Sequence, residues 1–264
     1  MIYQIYPKQD ATIYEKYTSM NTGIDELLEV SKELYYTGST YIPYVSRTLI
    51  QFDYSDLNNL IDAGFNTGSA SNKFTLKLYA TEEKQLPASF TLHVAAISGS
   101  WNMGLGKYSY SSSITEGVSW KYPYSLNDGT KWITASFAAG STGSWNLNPG
   151  GGVWYTSTIQ SKSFAYNELK DPEINVTNLV TSHLNSTYAN NGFIIKRPYT
   201  EEISSADAMQ LKFFSSDTNT IYLPHLKIYW NDWSWNTGSL TALTSVAANE
   251  YVISFKNLRN TYYT

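Results

Sequence analysis

Short segments in which apolar and polar residues alternate dominate the first 230 residues of the chain. Lys73–Tyr79 places Phe74, Leu76 and Leu78 on one side and lysine or threonine on the other, and Phe90–Val94 repeats the pattern. Because successive side chains point to opposite faces of a sheet, both segments predict strands with one buried face. The other predicted strands are Ala11–Glu15, Glu26–Val30, Val45–Asp53, Gly192–Lys196, Ala208–Phe214 and Leu226–Trp230.

One predicted strand carries a charge in its middle. In Val45–Asp53, the residues Thr48, Ile50 and Phe52 share a parity and form the more apolar face. Arg47 lies on the other face, so we expect it to be exposed or paired at a sheet edge.

Helical patterns are few and short. Asp56–Ile61 predicts one turn of helix capped by Ser55. Asn175–Leu184 predicts a second helix, because its apolar residues fall on one helical face. Many short strands separated by Gly, Asn, Ser and Pro are typical of an antiparallel β-sandwich or barrel. A chain of 264 residues can bury a full core of this kind without disulfides.

Two regions depart from the strand pattern. Residues 98–160 contain five tryptophans among glycines and serines, and Asn148–Gly152 is a strong chain breaker. We expect ordered loops there, packed by their own aromatic side chains, inserted in a sandwich domain of residues 1–230. Residues 231–264 predict a linker followed by a strand at Asn249–Phe255, which is either an assembly arm or the start of a further domain.

Composition excludes several classes of protein. The chain has no cysteine, which excludes a disulfide scaffold, a thiol nucleophile and a zinc–thiolate site. It has a net charge of −4 and no basic run, so we expect no nucleic-acid partner. Neither a signal peptide nor an apolar run of membrane-spanning length occurs, so we expect synthesis in the cytoplasm and no membrane partner.

The balance of charged and aromatic residues favours contact surfaces. Charged residues make up 15% of the chain, against roughly 25% in ordinary globular proteins. Aromatic residues make up 16%, with 23 tyrosines and 8 tryptophans. Protein interfaces are enriched in Tyr and Trp and depleted in Lys and Glu, which fits this composition.

Catalytic motifs are missing from the sequence. It contains neither a Gly-x-Ser-x-Gly elbow nor a phosphate-binding loop, and its three histidines lack metal-ligand spacing. The acidic pairs Glu82/Glu83 and Glu201/Glu202 are predicted to be solvated loop charges. We therefore expect a non-enzymatic protein with no catalytic residues. A polysaccharide-degrading enzyme, with carboxylates brought together from distant segments, is the alternative.

An ordered set of segments follows a known pattern. Arg47–Asp53 has the form Arg-x-Leu-x-x-Phe-Asp, and Glu116–Trp120 contains a Val-Ser-Trp segment that follows the earlier Trp101. The remaining matching segments are Gln9–Ile13, Asn21–Gly23, Ile174–Val180, Asn191–Lys196, Phe213–Ser216 and Leu223–Tyr229. This set resembles the DNRLRE-type (disaggregatase-related) sandwich domains, which are similar in fold to carbohydrate-binding modules. The segments Tyr35–Tyr44 and 121–170 are longer than that pattern.

The resemblance implies an all-β fold, a jelly-roll-like antiparallel β-sandwich with one or two short helices and long Trp-rich loops. Trp120 falls on a framework position of the family and is expected in the core. Jelly-roll modules often hold a structural calcium ion, for which Asp10, Asp25 and Asp232 are candidates near the ends of the implied sandwich. The favoured alternative is that these three are surface acids, and no other cofactor is expected.

The glycine-, serine- and tryptophan-rich segments 132–143 and 151–155 also resemble virion structural proteins of T4-like marine myoviruses, notably cyanophages. This resemblance implies a bacteriophage structural protein, in the tail, fibre or neck, that acts by protein–protein assembly. The expected partners are other virion proteins and further copies of the chain, and the expected location is the virion. The alternative is a carbohydrate-binding adhesin module that recognises a host surface glycan.

Tryptophans are the candidate binding residues under both hypotheses. An exposed indole stacks against a sugar ring, and buried aromatic anchors dominate protein interfaces. We expect the tryptophans first to pack their own loops or a neighbouring subunit, and second to form a glycan platform. The glycan-binding or interface candidates are Trp101, Trp132, Trp145, Trp154, Trp233 and Trp235.

Overall fold

The described part of the chain is a mostly antiparallel β-sheet structure. A computed structural model describes residues 2–57, 60, 65, 72–108, 115–132, 150–166 and 171–230. The predictions for Trp145, for residues 231–264 and for the strand Asn249–Phe255 lie outside these residues. The all-β fold class predicted from the alternation is confirmed, and the strands form two sheets of a sandwich.

Twelve strands, two short helices and three 3-10 turns make up the described secondary structure. The strands are β1 (Ile2–Ile5), β2 (Pro7–Tyr14), β3 (Leu27–Tyr36), β4 (Tyr41–Phe52), β5 (Lys73–Lys77), β6 (Ala80–Lys84), β7 (Ser89–Ala96), β8 (Gln160–Ala165), β9 (Glu173–Asn175), β10 (Phe193–Lys196), β11 (Met209–Phe214) and β12 (His225–Tyr229). The helices are α1 (Thr177–Leu184) and α2 (Tyr199–Ile203), and the 3-10 turns are Glu15–Tyr17, Ser55–Leu57 and Thr156–Thr158.

The strands are divided between a four-stranded and an eight-stranded sheet. The smaller sheet has the order β1-β12-β5-β9. The larger sheet has the order β6-β11-β3-β4-β10-β7-β8, and β2 pairs with β4 outside this path. Strand β4 is long enough to pair with three partners, with β3 through Tyr41–Val45, with β2 through Ser46–Phe52 and with β10 through Thr48–Ile50.

The main core lies between the two sheets, where the predicted alternation places it. Phe74 and Leu76 of β5 and Leu92 of β7 are fully buried in it, with their polar neighbours outside. Burying one such side chain contributes roughly 1.5–3 kcal/mol. The alternation therefore determined which face of these strands meets the opposite sheet.

A second core covers the outer face of the larger sheet. Ala11 and Ile13 of β2, Leu49 of β4 and Ile194 of β10 point away from the first core and are fully buried. They pack against tryptophans and valines from the 98–160 region. The part of the larger sheet formed by β2, β4 and β10 is therefore buried on both faces, which the pattern of β4 did not indicate.

The short helices agree only in part with their predictions. The predicted helix Asn175–Leu184 is present as α1, but it begins at Thr177 because Glu173–Asn175 pairs with β5 as β9. The Asn175 side chain accepts the backbone N–H of Thr177 at 3.0 Å. At the other predicted helix, Asp56–Ile61, the described residues show a 3-10 turn at Ser55–Leu57 and a helical conformation at Leu60. Within the described residues neither helix is long and apolar enough to cross a bilayer.

Candidate functional site

The tryptophans of the 98–160 region form a buried layer on the outer face of the larger sheet. Trp120 is fully buried, which confirms its predicted place in the core. Trp101, Trp132 and Trp154 are 6%, 3% and 2% exposed. The indole N–H of Trp101 donates to the carbonyl of Asn191 at 2.8 Å. These rings fix their own loops onto the sheet.

This burial corrects the glycan-platform hypothesis for the described tryptophans. Stacking on a sugar needs an exposed indole face. Trp101, Trp132 and Trp154 have none, because they pack against the apolar side chains on the outer face of the larger sheet. Self-packing, the interpretation placed first from the sequence, is what these three rings do. The other candidates, Trp145, Trp233 and Trp235, lie outside the described residues.

A glycine run lets the chain approach the layer closely. Gly150, Gly151 and Gly152 all have positive φ, which L side chains rarely adopt. A Cβ on Gly151 would lie 2.8 Å from the Trp120 ring and 2.5 Å from the guanidinium of Arg47. Packing therefore requires the glycine in this predicted chain breaker, since only glycine fits between the side chains of Arg47 and Trp120.

Arg47 lies between two of these tryptophans and is fully buried, so the prediction that it is exposed or at an edge is wrong. Its guanidinium carbon lies 4.9 Å from the Trp120 ring centroid and 5.1 Å from that of Trp154. Its Nη1 donates to the Gly151 carbonyl at 2.7 Å. The layer of tryptophans covers the face of β4 that the sequence assigned to solvent.

The partner of Arg47 is a buried carboxylate on α2. Arg47 donates to both oxygens of Glu202, at 3.0 Å from Nε and 2.7 Å from Nη2. The ammonium of Lys196 lies 3.1 Å from the same carboxylate. The Glu202 side chain is 1% exposed, so the prediction that Glu201/Glu202 are solvated loop charges is wrong for Glu202. We name Arg47, Glu202 and Lys196 the buried ion cluster.

Electrostatics keep this cluster charged. Burial alone would raise the pKa of the Glu202 carboxyl, but Arg47 and Lys196 together hold it below its ordinary value. Burial lowers the pKa of Lys196 to about 8, against the opposing effect of Glu202. Because the three side chains are 0–5% exposed, a substrate cannot reach them. The cluster joins β4, β10, α2 and the glycine run, which is a structural role.

Neither Asp10 nor Asp25, the two described candidates for calcium binding, belongs to a metal cluster of the described residues. Asp10 is 1% exposed, so the surface-acid interpretation is wrong for it. Its Oδ2 accepts the backbone N–H of Ser216 at 2.8 Å, and Oδ1 has no hydrogen-bond partner among the described residues. Asp25 is half-buried. No three carboxylate or imidazole side chains of the described residues lie close enough together to hold a metal ion, and Asp232 lies outside them.

Asp10 gives the protein a testable pH dependence. Burial raises the pKa of its carboxyl from 3.8 to about 7. Between pH 3.8 and about 7, the Asp10 carboxyl keeps its proton in the folded state and has lost it in the unfolded state. The stability from this group is therefore fully present below about pH 4 and is lost as the pH rises through about 7, at about 1.4 kcal/mol per pH unit.

We expect the Asp10→Asn substitution to flatten that slope. The asparagine carbonyl can still accept the Ser216 N–H, and the side chain does not ionise. Chemical denaturation of both proteins from pH 5 to 8 should show Asp10→Asn gaining stability over the wild type as the pH rises. His183 and His225, whose pKa values are lowered by burial, are present in both proteins and cancel in the difference. A constant difference across this range would contradict the assignment.

Tyrosine is the main exposed aromatic residue of the described surface. Of the fifteen large hydrophobic residues that are exposed there, ten are tyrosines. Three of them lie at the turn between β3 and β4: Tyr35, Tyr36 and Tyr41 are 58%, 56% and 53% exposed. The rings of Tyr36 and Tyr41, which face each other across the strands, have centroids 5.1 Å apart. We name these three residues the tyrosine tip.

The tip lies on a two-stranded extension of the larger sheet. Among the described residues, Glu33–Tyr36 of β3 pair only with Tyr41–Tyr44 of β4, since β11 pairs with β3 no further than Lys32. The segment Tyr35–Tyr44, which the sequence predicts to be an insertion, lies on this extension, and the extension carries exposed aromatic rings.

A groove lies beside this extension. It has a volume of about 650 Å³ and lies between β3, the β6–β7 turn and the segment that follows α2. The tyrosine tip offers exposed aromatic rings, and the groove beside it offers a concave surface lined by polar and apolar residues. Sequence reasoning missed both because it searched for tryptophans.

No family model matches the chain, and none of the curated proteins searched matches it.

Proposed function

We propose that this protein is a structural component of a bacteriophage particle and acts by protein–protein assembly through its tyrosine tip. The observation that carries the assembly part is the exposed Tyr35, Tyr36 and Tyr41 on a two-stranded extension. The phage part is supported by the resemblance of the sequence to virion proteins of T4-like marine myoviruses. The virion would then be the location of the protein, assembled after synthesis in the host cytoplasm.

The extension cannot bury its own aromatic rings. A two-stranded ribbon has no second layer to cover its faces and is marginal alone. Tyr35 points to one face and Tyr36 to the other, because neighbours alternate across a strand. Each aromatic side chain can bury roughly 150–250 Å². The exposed halves of the three rings, taken over both faces of the ribbon, therefore supply roughly a third to a half of the ~800 Å² that one partner contributes to a standard interface.

Tyrosine suits this role better than an aliphatic residue would. It buries a large area and keeps a hydroxyl that hydrogen-bonds at a contact, which is why interfaces are rich in it. The Tyr36 hydroxyl already donates to the carbonyl of Gly38 at 2.8 Å, which orients the ring. We infer that the partners are further copies of the chain or other virion proteins.

We expect the double substitution Tyr35→Ser with Tyr36→Ser to abolish assembly without unfolding the chain. Surface substitutions outside the core change stability by about 0.5 kcal/mol or less. Sedimentation velocity at rising concentration should show the wild type as an oligomer and the variant as a monomer. Tyr166→Ser, at a 65% exposed tyrosine outside the tip, is the matched control and should leave the oligomer intact.

The location needs its own measurement. Mass spectrometry of purified particles of the phage that encodes the chain should detect it at several copies per particle. A chain that stays monomeric at high concentration and is missing from the particles would overturn the proposal.

No observation on the described residues favours the polysaccharide-degrading alternative. The carboxylate of Glu202, which the sequence predicted to be a solvated loop charge, is paired with Arg47 and Lys196 and closed to solvent. The pair Glu82/Glu83 lies on β6, where neighbouring side chains point to opposite faces. We therefore propose a protein that acts by binding and not by degrading polysaccharide.

A further inference from the structure

The smaller sheet ends in a strand whose outer edge is open. Strand β1 pairs with β12 on one side, from Ile2 opposite Tyr229 to Ile5 opposite Leu226, and with no described strand on the other. An edge strand of this kind presents a row of unpaired N–H and C=O groups. A second extended chain can add to that row through the same hydrogen bonds that join strands within a sheet.

The other three ends of the two described sheets differ from β1. Strand β6 carries three charged residues, Glu82, Glu83 and Lys84. Strands β8 and β9 lie beside each other, and the Lys162 ammonium donates to the Glu173 carbonyl at 2.7 Å. Charges on an edge strand oppose pairing with another chain. Strand β1, with the sequence Ile-Tyr-Gln-Ile, has no charge and no proline, so it is the end that is suited to pairing.

The exposed side chains of this edge lie in one row. Ile2, Gln4 and Tyr6 share a parity, and the Tyr6 hydroxyl lies 3.5 Å from Gln4 Oε1. The Tyr6 ring packs edge-on against the His225 ring of β12, with the centroids 6.1 Å apart, which fixes it on the outer face of the sheet. Ile2 and Tyr6 are 59% and 51% exposed, and Gln4 is exposed between them.

This row is complementary to itself in the antiparallel direction. Two copies related by a twofold axis keep their core-facing residues, Tyr3 and Ile5, on one side only if residues of equal parity lie opposite each other. In the register that pairs Gln4 with Gln4 of the second copy, Ile2 of each copy lies opposite Tyr6 of the other. An aromatic residue opposite a β-branched one is a favourable cross-strand pair. The register therefore covers both exposed apolar side chains of each edge.

Charge does not oppose this contact. The cation beside the row is Lys227, which lies opposite Gln4 on β12 and binds Glu173 at 3.0 Å. Across the twofold axis the two copies of Lys227 are three strand spacings apart, roughly 14 Å. That distance exceeds the Debye length of about 8 Å at physiological salt. A second copy can therefore approach the edge without bringing these like charges together.

We propose that β1 is a second assembly contact, at which two copies of the chain pair edge to edge and antiparallel through Ile2–Tyr6. The pairing joins two four-stranded sheets into one continuous sheet. It rests on the proposed function in that it serves assembly, but it uses a different sheet from the tyrosine tip.

The contact is weak by itself. The segment Ile2–Tyr6 supplies far fewer residues than the roughly 20–30 a side of a standard interface. A chain without its tyrosine tip therefore sediments as a monomer, while its β1 edges still pair in brief encounters. Where the tip already joins copies, their high effective concentration strengthens the edge contact.

Disulfide trapping tests this contact, because the chain has no cysteine of its own. In the proposed register the two copies of Gln4 are directly opposite, with Cα atoms roughly 4.5–5.5 Å apart, which is within the range of a disulfide. The full chain with Gln4→Cys should form a cross-linked dimer in oxidised glutathione at least tenfold faster than the chain with Tyr166→Cys, a 65% exposed site outside β1. Initial rates are measured by non-reducing electrophoresis.

Two further variants test the register and the apolar pair. Ile2→Cys should cross-link no faster than Tyr166→Cys, because it lies opposite Tyr6 and roughly 14 Å from the same position of the other copy. Adding Ile2→Ser to Gln4→Cys should slow cross-linking at least threefold, since Tyr6 loses the side chain opposite it, with urea denaturation unchanged. Equal rates for Gln4→Cys and Tyr166→Cys, or a faster rate for Ile2→Cys than for Gln4→Cys, would overturn the proposal.

The tyrosine tip and the β1 edge are measured separately. Sedimentation velocity of the Tyr35→Ser and Tyr36→Ser double variant reports the tip, and the rate of cross-linking reports the edge. Gln4→Cys added to that double variant should still cross-link faster than Tyr166→Cys in the same background. A wild-type oligomer whose Gln4→Cys variant cross-links no faster than the control would overturn the edge contact and leave the tip.

Discussion

Replacing Glu202 with glutamine is expected to destabilise the protein by about 3–5 kcal/mol, because the substitution leaves two buried cations without a carboxylate. Arg47 and Lys196 both bind Glu202 and are themselves closed to solvent. Glutamine keeps the size of the side chain, so the loss reports the charge rather than a cavity. Urea denaturation followed by tryptophan fluorescence measures it, since Trp120 and Trp154 lie against Arg47.

The matched control is the same substitution at an exposed pair. Glu33 binds Lys16 at 2.8 Å, but the two side chains are 51% and 39% exposed. Exposed pairs of this kind contribute about 0–1 kcal/mol, so Glu33→Gln should be close to the wild type. Equal stabilities for Glu202→Gln and Glu33→Gln would mean that the buried ion cluster does not hold the sheet, α2 and the glycine run together.

Replacing Trp154 with alanine is expected to cost about 3–5 kcal/mol, the usual range for removing a large aromatic side chain from a core. The ring is 2% exposed and lies 5.1 Å from the Arg47 guanidinium and 5.3 Å from the Lys196 ammonium. Its loss opens a cavity beside two buried cations. Thermal and urea unfolding measure the cost, and near-ultraviolet circular dichroism reports the loosened tryptophan layer.

This substitution also separates a core role from a binding role. Tyr166→Ala, at a 65% exposed ring, should change stability by about 0.5 kcal/mol or less. If Trp154→Ala kept wild-type stability and instead lost saccharide binding, the result would support the glycan-platform hypothesis. It would contradict the assignment of Trp154 to the buried layer.

The position of the ion cluster shows where sequence patterns stop being informative. Alternation along Val45–Asp53 gave Thr48, Ile50 and Phe52 one buried face, and all three are fully buried. The opposite face, with Arg47, is buried as well, because a segment roughly 70 to 110 residues further along the chain folds over it. Periodicity reports one apolar face of a strand and contains no information on a cover from a distant loop.

The acidic residues show the same limit. Glu201 and Glu202 are adjacent in the sequence, yet only Glu202 reaches Arg47, because α2 presents neighbouring residues to different sides. Asp10, predicted as a calcium candidate near the end of the sandwich, lies buried beside Ser216. Burial of a charge depends on which distant partner is available, and such pairings are decided in three dimensions.

The sequence by itself determined the fold class, the inward faces of strands such as β5 and β7, the place of α1 and the core position of Trp120. These follow from local periodicity and from large apolar side chains that must be buried somewhere. Only the tertiary structure decided that tryptophans of the 98–160 region cover the larger sheet and that Arg47, Glu202 and Lys196 meet beneath them. It also decided that tyrosines rather than tryptophans lie at the surface of the described residues. The physical reason is that contacts between distant segments depend on how the sheets and loops pack, and local alternation is the same whether or not a face is covered.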